Sequence, residues 1–280
     1  MALPLRFLVA DCEAEKDRKI RRDDVGRSSG ESFCATLRSL APHAACDRKT
    51  PSDPDAAELR AEDLAAYDAV FLSGASLHVY DDTPETRRLL AFMRTVFASK
   101  TPAFGSCAGL QIAAAAAGGS VRPNRNGAEA PIAHQVKLTP EGRNHPLFAG
   151  RPPAFEALSI HSDEVDRLPE GALRLAGNGV TAVQAAEIRS SGGVFWGVQY
   201  HPELPAAEMA SSLRRQASEL AEQGAASSPV VLERRADEIA SLDDADDGTA
   251  FPAELKDRQL ELRNFIAHLV EPTRAARGRT

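Results

Sequence analysis

Residues 101–119 constrain the fold more than any other stretch of the chain. A short apolar run at 101–104 leads into Gly105-Ser106-Cys107-Ala108-Gly109. A second apolar run continues to Ala117 and is closed by Gly118-Gly119. This pattern reads as a strand that turns sharply into a helix. Such an elbow needs glycine where backbones approach, and it lifts the central side chain off the end of the sheet. It also puts that side chain at a helix N-terminus, where the aligned peptide dipoles favour an anion. The residue so presented is Cys107, and a thiol attacks only as its thiolate.

The surroundings repeat the same alternation. Residues 5–10 and 67–72 read as buried strands, and 32–40, 59–66 and 83–99 carry helical spacing. Thr83-Pro84-Glu85 is a helix start, with a cap, a proline at the first position and an acid in the first turn. The order β-α-β-α-β-α predicts an α/β fold: an open, mostly parallel sheet with helices on both faces. Residues 13–31 are charged and contain Gly and Ser, so they read as a loop or a loosely held helix start. Beyond residue 130 the pattern changes to strand-like segments at 132–138, 154–161, 171–176, 180–188 and 194–199, then a helix at 206–222. The expected division is a domain over 1–223 and an extension over 224–280. That extension holds a small-residue linker, an acidic run at 243–247 and a C-terminal helical appendage from Pro252 to about Val270. Leu255, Leu262, Ile266 and Leu269 would form the appendage's apolar stripe, packed on the domain or on a second copy, so a homodimer is one expectation.

Bulk properties exclude several classes. The 280 residues carry a net charge of −7, which argues against a nucleic-acid partner. No run approaches the roughly 20 apolar residues that span a bilayer, so no membrane is expected. Cys12, Cys34, Cys46 and Cys107 include no C-x-x-C pair, which removes the usual zinc and redox signatures. A cytoplasmic chain with free thiols is expected.

His201-Pro202-Glu203 completes the pattern. It comes after the strand-like Val194-Phe195-Trp196-Gly197-Val198-Gln199-Tyr200. In an extended segment, residues i and i+2 face the same side, so His201 and Glu203 point together. A carboxylate behind an imidazole sets its tautomer and stabilises its charged form. Cysteine, histidine and glutamate then meet at the strand ends, where sheets of this type place their sites.

Gly-Ser-Cys-Ala-Gly-Leu-Gln at 105–111 and Gly-Val-Gln-Tyr-His-Pro-Glu at 197–203 resemble the class I (triad) glutamine amidotransferases. The likeness is nearest to the amidotransferase domain of GMP synthase and its stand-alone relatives. Leu72-Ser73-Gly74 with Val79-Tyr80-Asp81 is similar to that family's oxyanion loop. Gly118-Gly119-Ser120-Val121 and Ile160-His161-Ser162-Asp163-Glu164-Val165 resemble two further family segments. The likeness covers about residues 5–205 and implies a flavodoxin-like fold. It implies Cys107 as nucleophile, His201 as base and acid, and Glu203 as the orienting carboxylate. It further implies Gly74 and Ala108 as oxyanion donors, Gln111 as a holder of the glutamate moiety, and His161, Ser162 and Asp163 at the amino-acid end of the substrate. The reaction implied is hydrolysis of the side-chain amide of glutamine, or of another γ-glutamyl amide, through a γ-glutamyl thioester, with no metal and no cofactor. Ala75, Leu77 and His78 depart from the family pattern; His78 is expected at the surface, the alternative being a place at the pocket mouth where it would influence the choice of acceptor.

The chain carries no phosphate-binding glycine loop, and the residues beyond the likeness are too few for a synthetase domain. Three readings therefore stand. In the first, the chain is a glutaminase whose ammonia goes to a separate synthetase. In the second, it is a stand-alone γ-glutamyl hydrolase or peptidase. In the third, it is a catalytically silent regulatory or binding module.

Overall fold

The computed structural model describes residues 4–242 and 257–279. Up to residue 240 its helices are α1 (Glu15–Val25), α2 (Ser29–Leu40), α3 (Ala61–Ala65), α4 (Pro84–Ser99), α5 (Ala108–Ala116), α6 (Pro140–Arg143), α7 (Ala206–Glu222) and α8 (Pro229–Ala240), and in chain order its strands are β1 (Arg6–Ala10), β2 (Ala45–Lys49), β3 (Ala69–Leu72), β4 (Ala103–Ser106), β5 (Ser120–Pro123), β6 (Ile132–Leu138), β7 (Ala154–Leu158), β8 (Asp163–Arg167), β9 (Leu173–Gly177), β10 (Ala185–Ser190) and β11 (Gly193–Val198). Nine of them form one sheet in the order β2-β1-β3-β4-β11-β10-β9-β6-β7. The pairs from β2 through to β11 are parallel, and those from β11 to β7 are antiparallel. β5 and β8 make a separate antiparallel pair.

Strand alternation sends side chains to two faces. Phe7 and Val9 of β1 join a core with Phe33 and Leu37 of helix α2 (Ser29–Leu40) and with Leu262 and Phe265 of the C-terminal helix Leu260–Phe265. Leu8 and Ala10 join the opposite core, built with α4 (Pro84–Ser99) and α5 (Ala108–Ala116). Helices thus cover both faces, as the β-α alternation predicts. α7 (Ala206–Glu222) and α8 (Pro229–Ala240) share a third apolar cluster through Met209, Leu213, Leu232 and Ile239. Among the described residues, no helix is long and apolar enough to cross a membrane.

Residues 13–31, expected as a loop or a loosely held helix start, hold more helix than that. Helix α1 (Glu15–Val25) and the start of α2 occupy them. The buried side chains of α1 are Arg18 and Arg21, not apolar residues. Arg18 donates to Asp53 and to the Glu13 carbonyl, both at 2.6 Å. Arg21 donates to Glu208 at 2.9 Å and to Ser212 at 3.2 Å. An inner face made of paired arginines leaves no hydrophobic periodicity to read. β2 has no sequence signature because it is an edge strand without a buried residue. α8 has none because it begins in the small-residue stretch expected as linker.

The C-terminal helix packs on the domain. Phe265 lies 5.4 Å from Phe71, 5.5 Å from Phe104 and 5.8 Å from Trp196, between ring centroids. Glu261 is fully buried and accepts from Arg151 Nε and the Tyr200 hydroxyl, each at 2.9 Å. Leu262 and Ile266 of the expected stripe are buried and Leu269 partly so. Leu255, the 243–247 run and the helix start at Pro252 lie outside the described residues.

Phe265→Ala should cost about 3–5 kcal/mol of folding free energy, the usual range for a buried aromatic. Denaturant unfolding measures it. A loss below about 1 kcal/mol would show that the C-terminal helix is not part of the core.

Candidate active site

Cys107 joins β4 to α5 with φ 50° and ψ −112°, a left-handed conformation that non-glycine residues rarely adopt. Its neighbours explain how the turn is made. A Cβ on Gly105 would lie 2.9 Å from the Gly109 carbonyl carbon, and one on Gly109 would lie 2.7 Å from the Leu72 carbonyl oxygen. Strand and helix therefore approach closer than any side chain allows. The Cys107 N–H donates to the Val198 carbonyl at 2.9 Å, which ties the elbow to the end of β11.

That strand end delivers the histidine. The His201 N–H donates to the Leu158 carbonyl at 2.9 Å. His201 Nδ1 lies 2.8 Å from Glu203 Oε1, with both side chains buried. Nε2 is buried and has no hydrogen-bond partner among the described residues. The Thr36 hydroxyl donates to the Glu203 carbonyl at 2.7 Å and fixes the segment against α2. Burial disfavours the His201 charge, but Glu203 and the adjacent Cys107 sulfur outweigh it and raise the imidazole to about 10.

Gly74 packs directly on the pair. A Cβ there would stand 2.9 Å from His201 Cε1 and 3.8 Å from Cys107 Cβ. Ala108 opens α5, and N–H groups in a first helical turn lack intrahelical partners. A thiol, an imidazole and a carboxylate in sequence, with backbone donors at hand, is the arrangement acyl transfer requires.

The remaining expected residues all reach the cleft, in differing ways. Gln111 Nε2 donates to the Asp163 carbonyl at 3.1 Å and to Gln199 Oε1 at 3.2 Å, bracing the 160–163 segment against β11. His161 turns its ring into the scaffold: Nδ1 lies 2.9 Å from the Asp163 carbonyl and Nε2 lies 3.1 Å from Glu129 Oε2. Burial works against the Glu129 charge, but bonds from His161, Asn178 and Gln184 hold its carboxyl below the usual range. Ser162 and Asp163 line the cleft wall. His78 is partly exposed and stands at the mouth of the cleft, which joins the two places expected for it. It lines the cleft, with Nδ1 2.7 Å from Asp163 Oδ2, and stacks on Tyr80, whose hydroxyl donates to Asp163 Oδ1 at 3.3 Å.

The cleft encloses about 290 Å³ and continues past Cys107 and His201. Glu13, Asp17 and Arg21 line it from α1 and the residues before it, and Arg215, Gln216 and Glu219 line it from α7. Burial and the neighbouring Asp11 push the Glu13 carboxyl up. Sequence reasoning misses this outer wall, and it misses Glu129. No local pattern marks Glu129, whose partners lie far away in the chain. Tyr80 was within reach, since it stands in the Val79-Tyr80-Asp81 stretch. Among the described residues, no cluster of His, Cys, Asp or Glu could hold a metal ion.

The chain is similar to known proteins. Residues 24–218 match the family model for glutamine amidotransferase class-I. A γ-glutamyl-L-1-hydroxyisopropylamide hydrolase from Pseudomonas sp is 36% identical, over 96% of this chain and 94% of its own length. A glutamine-hydrolyzing GMP synthase subunit from Methanoculleus marisnigri is 35% identical over 37% of this chain and 52% of its own. A glutamine amidotransferase structure from Thermotoga maritima superposes with a TM-score of 0.68 at 19% identity, covering 95% of this chain and 98% of that one.

The geometry makes two predictions. Gly74→Ala should cost about 1–3 kcal/mol in denaturant unfolding, since its methyl overlaps His201. An unchanged midpoint would mean that the loop is free to retreat. The raised His201 value means that its pairing contributes stability that is complete below an ordinary histidine value of about 6.5. That contribution is lost as pH rises through about 10. NMR titration of the imidazole should find this midpoint, and Glu203→Gln should return it towards the ordinary value.

Proposed function

The chain belongs to the class-I glutamine amidotransferase family, and on that premise we propose that it is a self-sufficient hydrolase of γ-glutamyl amides. The observation that carries this reading is the cleft beyond the triad. Ammonia is the smallest leaving group an amide can have, whereas the cleft extends past the triad to side chains of α1 and α7, which favours a larger amine. The near full-length likeness to a hydrolase of such an amide supports the same reading.

In this mechanism the Cys107 sulfur attacks the γ-carbonyl carbon of the glutamyl group. The N–H groups of Gly74 and Ala108 receive the charge that develops on the carbonyl oxygen. The amine departs as the C–N bond breaks, taking the proton held by His201. A water molecule, deprotonated by His201, then attacks the thioester, and glutamate leaves as sulfur is restored. Glu203 holds the imidazole orientation through both half-reactions. The 161–163 segment, braced by Gln111 and by the Glu129–His161 pair, receives the amino-acid end of the substrate.

A second reading is that the chain releases ammonia from glutamine for a separate synthetase. The partial likeness to the glutamine-hydrolyzing GMP synthase subunit favours it. The silent-module reading is disfavoured by the buried, hydrogen-bonded His201–Glu203 pair beside Cys107.

Glutamate release by the purified chain from glutamine and from a series of γ-glutamyl alkylamides separates these readings. Higher kcat/KM for alkylamides than for glutamine supports the hydrolase. Preference for glutamine, with turnover rising only when a synthetase is added, overturns it. Cys107→Ala should lower turnover by at least about 10³-fold in either case, and Glu203→Gln by about 10²–10⁴-fold.

A further inference from the structure

Two sulfurs outside the cleft face each other where α2 packs on β2. Cys34 lies in α2 and Cys46 lies on β2, the outermost strand on the parallel side of the sheet. Their Sγ atoms are 2.8 Å apart, and both are free thiols. A disulfide bond is roughly 2 Å long, so joining them asks for less than about 1 Å of movement. Cys34 is buried and Cys46 is half-buried. Cys46 is thus the more exposed residue of the pair.

The electrostatics divide the pair: the bond it donates to Cys34, together with burial, pushes the Cys46 thiol well up. The Cys46 thiol donates to the Cys34 sulfur, and this bond, with Arg38 and Arg48 nearby, moves the Cys34 thiol below its ordinary value against the effect of burial. Positive neighbours and a donated hydrogen bond favour the thiolate form on which exchange depends. Cys12 is the contrast: it is fully buried, and burial together with Asp11 pushes its thiol up.

We propose that Cys34 and Cys46 form a modification site, a dithiol that small-molecule disulfides convert to an intramolecular disulfide. The Cys46 sulfur attacks the reagent disulfide as the proton it shares with Cys34 passes to the Cys34 sulfur; the reagent S–S bond breaks, and the departing reagent thiolate takes that proton up. The Cys34 thiolate then attacks the mixed disulfide at the Cys46 sulfur and expels the second reagent thiol. Two S–H bonds and the reagent S–S bond are lost. One protein S–S bond and two reagent S–H bonds are gained, so the reagent is reduced by two electrons. No cleft residue takes part, and the proposal stands apart from the amide chemistry.

The reduced full chain, treated with oxidised glutathione and then iodoacetamide, tests this after tryptic digestion without reductant. Cys34 falls in the peptide 28–38 and Cys46 in 39–48, while Cys107 falls in neither. The expected result is a linked 28–38/39–48 pair, unalkylated at both cysteines and separated by dithiothreitol, with the melting temperature of the oxidised chain raised. In Cys34→Ser, Cys46 should stop at the glutathione adduct. Full alkylation of both cysteines in the unsubstituted chain would overturn the proposal. A Cys46 adduct that persists there without the link would do the same. The unsubstituted chain decides the matter even if the variant does not fold.

Discussion

The backbone of Cys107 is the constraint on which the site depends. A non-glycine residue at φ 50° costs on the order of 1–3 kcal/mol and persists only when its surroundings hold it. Three contacts do so here. Gly105 lets α5 approach β4, Gly109 lets the helix approach β3, and the Val198 carbonyl takes the Cys107 N–H. The last bond also fixes β11 beside β4. The strained turn and the strand that delivers His201 are therefore parts of one piece of structure.

A buried charged pair is the second requirement. Taking His201 and Glu203 out of water is costly unless the remaining polar groups are held in place. Support comes from distant elements: Thr36 of α2 on the Glu203 carbonyl, and Leu158 of β7 on the His201 N–H. Tyr200, the residue before His201, is anchored by its hydroxyl to Glu261, which also accepts from Arg151. The C-terminal helix thus steadies the strand end that carries the imidazole. Its position in the core gives it a part in the site that its distance in sequence conceals.

Much of this was legible in the residues themselves, and the failures share a cause. Buried strands and apolar helices announced themselves through composition and spacing, as β3, β4 and α5 did. Helix α1 did not, because its inward face is made of Arg18 and Arg21, whose burial is made tolerable by Asp53 and Glu208 far along the chain. His78 was open to two readings, surface or pocket mouth, and its contacts with Asp163 and Tyr80 place it at the mouth. Glu129 carries no motif, and its meaning comes wholly from His161, Asn178 and Gln184.

The sequence by itself determined the α/β alternation, the elbow around Cys107 and the pairing of His201 with Glu203. Each rests on interactions between residues close in the chain, whose periodicity and spacing are local. Only the tertiary structure decided that α1 and α7 wall the cleft, that Phe265 fills the core beneath β3, β4 and β11, and that Cys34 meets Cys46. Those outcomes depend on which buried groups find partners across the sheet. A partner of that kind is chosen by distance in space, which no local pattern of residues encodes.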